Sequence, residues 1–178
     1  WLISTPDAVV NTFTYGDINI ELFEHAYNAT NNTLNMEKEV RKVDNYKIIP
    51  GVNLPKDPTV RVKAGSEACY LFVKVEATND FVAKKVTYTV DTTAQTGWTK
   101  GDGTKIPANV YYRAVPAATA DATYTVLQNG ITVSEELTKE DIKNIMTKPT
   151  LTFTAYAVQQ AEIATAEDAW AKVPQATP

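Results

Sequence analysis

One cysteine and one histidine are all that this chain of 178 residues offers of the two side chains most used in metal and redox chemistry. A lone Cys69 forms no internal disulfide. A lone His25 rules out the zinc-protease helix, which needs two histidines four residues apart with a glutamate between them. It also leaves a Ser-His-Asp arrangement only one possible base, and no serine stands in a Gly-x-Ser-x-Gly elbow. An apolar run of ~18 residues is missing, so no helical membrane span is expected. A basic stripe is missing too. The formal net charge is −4, with acids and bases interleaved, which excludes the electrostatic footprint of a nucleic-acid binder and any attraction to an anionic membrane surface.

What is present is ordinary for one domain, since domains commonly run ~100–200 residues. A chain this long buries roughly 70% of the surface its unfolded form exposes, so a core stands without disulfide or metal. Thr, Val, Tyr and Ala recur in short alternating stretches, a mixture that favours strands. In Ile18–Leu22 the apolar residues Ile18, Ile20 and Leu22 share one face, the pattern of a half-buried antiparallel strand. Val60 and Val62, then Val86, Tyr88 and Val90, then Cys69, Leu71, Val73 and Val75 repeat it. Further strands are expected over Val110–Val115, Thr123–Leu127 and Leu151–Val158, the last with Leu151, Phe153, Ala155 and Ala157 inward. Cys69 reads as a buried thiol acting as a small hydrophobe.

Turn chemistry separates these runs. Pro50-Gly51 and Lys56-Asp57-Pro58 bracket a tight connection, while Gly101-Asp102-Gly103 and Asn129-Gly130 read as hairpin tips because these residues tolerate positive φ. Many short strands with frequent turns indicate a jelly-roll-like antiparallel β-sandwich, mainly β. Two or three short peripheral helices are expected. One lies over Ser134–Met146 with Pro149 as a stop. A second starts at Thr165 with Asp168 as a capping-box variant and presses Trp170 onto the core. A third, over Asn35–Lys42, is mostly polar and expected to be exposed. His25 is expected on a surface loop after the Ile18–Phe23 strand.

Sites of chemistry are few. Gly101-Asp102-Gly103 lacks the third glycine and the helix of a phosphate cradle. Asp91, Asp102 and Asp121 are a candidate calcium set if the fold brings them to one end of a sandwich. Trp98 with Tyr111 and Tyr112 is a candidate sugar-stacking face, although alternation sends the two tyrosines to opposite sides. Asn28-Ala29-Thr30 and Asn31-Asn32-Thr33 match the N-glycosylation pattern and read as chance matches in a Thr/Asn-rich loop. Glu135, Glu136, Glu140 and Asp141 read as a solvated helix face.

A run of fragments in fixed order adds a family resemblance. They are Asn11-Thr12-Phe13-Thr14-Tyr15-Gly16, Pro50-Gly51 through Lys56-Asp57-Pro58, Gly65-Ser66-Glu67-Ala68-Cys69-Tyr70, Val110-Tyr111-Tyr112-Arg113, Phe153–Gln159 and Ala169-Trp170. Together they resemble the TasA/camelysin-like secreted proteins of Gram-positive bacteria, exported with a SipW-type signal peptide. The resemblance runs from about residue 8 to residue 173 and is weakest at 24–45 and 117–148. A first residue other than Met fits a chain whose leader has been removed.

The resemblance implies a secreted subunit of an extracellular filament or biofilm matrix, with no enzymatic activity and no cofactor. Its partners would be copies of itself, joined head to tail by donor-strand exchange, in which main-chain hydrogen bonds give affinity and alternate side chains fill a groove. The matching donor strand is Trp1, Leu2, Ile3, Ser4 and Thr5, ahead of Pro6, whose missing N–H suits a strand end. Residues 1–10 are then an arm, 11–173 one sandwich domain and 174–178 a loose tail. Pairing of the arm within its own sheet, or Trp1 covering a patch, stays open as an alternative. So does a monomeric cell-surface binding module or adhesin on the same sandwich, with carbohydrate as a candidate ligand.

Overall fold

The computed structural model describes the main chain of residues 2–3 and residues 13–78, 81, 84–93, 96–144 and 149–174. The fold is a mainly β sandwich. Its first layer is a five-stranded sheet in the order β10 (Thr99–Lys100), β11 (Val110–Val115), β8 (Cys69–Ala77), β14 (Leu151–Gln159), β2 (Phe13–Tyr15). All pairings in it are antiparallel except β2 with β14, which run parallel. The second layer has two sheets. One has the order β12 (Ala122–Thr125), β7 (Thr59–Val62), β3 (Ile20–Asn28), β4 (Thr33–Val40). The other is β6 (Asn53–Leu54), β13 (Leu127–Val133), β9 (Val86–Val90).

Alternation builds the core between the layers. Cys69, Leu71, Val73 and Val75 of β8 and Leu151, Phe153, Ala155 and Ala157 of β14 meet Ile20 and Leu22 of β3, Val60 and Val62 of β7, and the inward residues of β9 and β13 in one buried cluster. The five-stranded sheet is covered on its other face as well. There Phe72, Val110 and Val158 pack with Ile106, Ile163, Ala169, Trp170 and Val173. Trp170 lies on the short helix α2 (Ala166–Trp170; α1 is Lys139–Lys143). Its ring is 5.1 Å from Phe72 and 5.4 Å from Tyr156, the latter edge to face. Burying an aromatic of this kind stabilises by about 1.5–3 kcal/mol. Thr165 caps α2 by accepting the Asp168 N–H at 3.1 Å, as the sequence pattern predicts.

Three local expectations are corrected. Asn35–Lys42 is not a helix: the edge strand β4 covers most of it, paired with β3 from Asn28↔Thr33 to Glu24↔Val40. Cross-strand pairing overrides a weak helical propensity here, and the residues read as polar because the strand is an exposed edge. The helix expected over Ser134–Met146 spans only Lys139–Lys143, because a capping box between Thr138 and Asp141 sets its start; Ile145 and Met146 lie outside the described residues. Asn129-Gly130 is no hairpin tip. Both have positive φ, 59° and 66°, but they form a bulge inside β13, which pairs with β9 on either side of it. A Cβ at Gly130 would stand 2.2 Å from Leu54 O and 2.8 Å from Lys56 N, so its absence lets the 54–56 backbone lie against the bulge.

Candidate functional site

The N-terminal strand β1 (Leu2–Ile3) pairs antiparallel with β5 (Tyr46–Lys47), Leu2 opposite Lys47 and Ile3 opposite Tyr46. The two form a sheet of their own, and among the described residues β5 has no other strand partner. Trp1, Ser4 and Thr5 of the candidate donor strand, and Pro6 after it, lie outside the described residues.

β5 is held to the sandwich by side chains. Val43, Tyr46 and Ile48 point inward and are buried, while Asp44 and Lys47 are exposed. The Tyr46 ring stacks on Tyr27 of β3 at 4.3 Å, and its hydroxyl donates to Pro55 O at 2.5 Å. Asn45 Nδ2 donates to Tyr27 O at 3.0 Å. These contacts fix β5 whether or not an arm lies beside it.

Beneath β5 lies a charged floor. Lys56 Nζ meets Glu24 Oε1 at 2.5 Å, with the two side chains 0% and 1% exposed. The nitrogen stands 5.3 Å from the Tyr46 ring centre and 5.9 Å from that of Phe153. Burial holds the Lys56 ammonium below its usual range, with Glu24 pulling the other way. Burial, and then the carboxylates Glu24 and Asp57, push the Tyr46 phenol well above its usual range. Beside this pair, Asp57 accepts from the His25 backbone N–H at 2.9 Å and faces His25 Nδ1 at 2.6 Å. His25 therefore sits within β3, tied to Asp57, and not on the loop the sequence suggests. Across the outer face of the same sheet, Arg61 binds Glu21 and Glu39 and lies 4.2 Å over the Phe23 ring.

The sequence leaves Lys56 unnoticed, since it looks like part of a turn. A signal was there: Ile18, Ile20, Leu22 and Glu24 share one parity. Period-2 alternation therefore carries an acid into the core, where it needs a cation.

Other candidate groups stay apart. Trp98 is 2% exposed, with its indole N–H donating to Thr125 O at 3.0 Å. Tyr111 packs against the inner cluster and Tyr112 against the outer one, so the three rings form no stacking face. Asp91, Asp102 and Asp121 accept from Thr93, Thr104 and Ala64 respectively. Among the described residues no three metal-ligating side chains cluster. Gly101 and Gly103 lie in the connection between the paired strands β10 and β11. Both sequons fall at the β3–β4 hairpin, where Asn28 and Asn31 side chains accept from Thr30 and Thr33. Asp141 is held down to about 2, first by Lys85 and then by Thr138. Cys69 is fully buried and free, and burial pushes its thiol up to about 12, which leaves it almost wholly un-ionised and inert.

Among the described residues no helix is long and apolar enough to cross a membrane. No family model, no curated protein and no solved structure matches this chain.

Proposed function

We propose that this chain is a secreted, TasA-like structural subunit of an extracellular filament or matrix, which assembles by passing its N-terminal strand to the next copy. The observation that carries this reading is the arrangement at β5, a strand anchored by its own side chains and, among the described residues, paired only with β1. An unpaired strand edge must be covered or used. The arm covers it, and the same arm from a neighbour offers the same main-chain groups. Exchange then replaces like with like, so little free energy separates the closed monomer from the open polymer.

A contact of this kind is head to tail and makes open filaments when the rotation does not close. The fragments that resemble the TasA/camelysin-like proteins give the reading its cellular setting, outside the cell and without catalysis. The test is electron microscopy of the mature protein beside a variant lacking Trp1–Thr5. Filaments that vanish on truncation are the expected result. Monodisperse particles in both samples would overturn the proposal.

A further inference from the structure

Lys56 and Glu24 are paired as ions in a place that penalises ions. Both are sealed from solvent, and aromatic rings stand on the nitrogen's flanks. Water that would stabilise the charges is excluded, and burial already disfavours the ammonium. One proton moving along the 2.5 Å contact, from Nζ to the carboxylate, gives an amine beside a carboxylic acid with no change of net charge. Those two groups are the reactants of amide formation.

The surroundings hold them together. The chain neighbour of each, His25 and Asp57, forms a second pair at 2.6 Å that fixes β3 against the 55–58 segment. On the other side the bulge at Gly130 packs against Leu54 O and Lys56 N. Once two groups so confined align for attack, effective concentrations reach ~10⁵ M or more. Exclusion of water also protects the product from hydrolysis.

We propose that Lys56 and Glu24 condense to an intramolecular isopeptide bond. The Nζ lone pair attacks Glu24 Cδ and a C–N bond forms. The C–O bond to the acid's hydroxyl breaks, and that hydroxyl leaves with a proton from the nitrogen as water. Amine plus acid gives amide plus water, and no external reagent enters. The bond ties β3 to the connection between β6 and β7, and closes a loop that contains β5. It therefore locks in place the strand on which the arm lies, with or without assembly.

The experiment is intact-mass measurement of the purified full chain, followed by proteolysis and peptide sequencing by mass spectrometry. The expected result is a chain one water lighter than its sequence, with a branched peptide joining residues 24 and 56. Lys56→Met should restore the full sequence mass. A wild-type chain at full mass that yields Glu24 and Lys56 in separate peptides would overturn the proposal, as would a water loss that maps elsewhere. The wild-type result decides the matter even if the variant fails to fold.

Discussion

β8 and β14 share nine paired positions, from Ala77↔Leu151 to Cys69↔Gln159, and their sheet is packed on both faces. β1 and β5 share two. The first pairing is bound to the fold through ladder and core together. Loss of any part of it disturbs both clusters. The second is a two-residue ladder, in which β5 keeps its own anchors in Tyr46 and Asn45. One chain thus contains a long ladder bound to both clusters and a short pairing at β1 and β5, the one that the proposed exchange would use.

Substitutions should separate the two regions. Phe72→Ala, on β8 against Trp170 and Tyr112, removes a fully buried ring and should lower stability by about 3–5 kcal/mol in urea unfolding. Lys56→Met should cost a similar ~3–5 kcal/mol, because it removes the cation that meets Glu24 in the core and, with it, the proposed cross-link. The double variant Lys56→Met/Glu24→Gln should recover part of that loss, and a double-mutant cycle reads the coupling. Gly130→Ala puts a methyl against Leu54 O at positive φ and should cost about 1–3 kcal/mol. Deleting residues 1–5 should cost the least, about 1 kcal/mol, because the β1–β5 ladder has two paired positions against nine for β8 and β14. A large stability loss on that deletion would erase the contrast between the regions.

The committed region was the legible one. Inward faces such as Val60/Val62 and Phe153/Ala155 follow from alternation alone, and Thr165 with Asp168 announces α2. Legibility failed where a residue's meaning depends on a distant partner. The polar run of β4 reads as a weak helix until β3 is placed beside it. Asn129-Gly130 has the backbone freedom of a hairpin tip, yet the approach of residues 54–56 uses that freedom for a bulge. Lys56 is a turn residue locally and becomes a core cation only once Glu24 of β3 is fixed beneath β5. His25 reads locally as a loop residue, whereas Asp57, 32 residues away, holds it in the strand.

In the proposed assembly the arm lies on β5 of another copy. Paired cysteines at Leu2 and Lys47, which face each other across β1 and β5, test it directly, and the native Cys69 is too buried to interfere. Oxidation of filaments of the Leu2→Cys/Lys47→Cys variant should produce a covalent ladder of multimers on a denaturing, non-reducing gel. Filaments that yield only internally cross-linked monomer would contradict it.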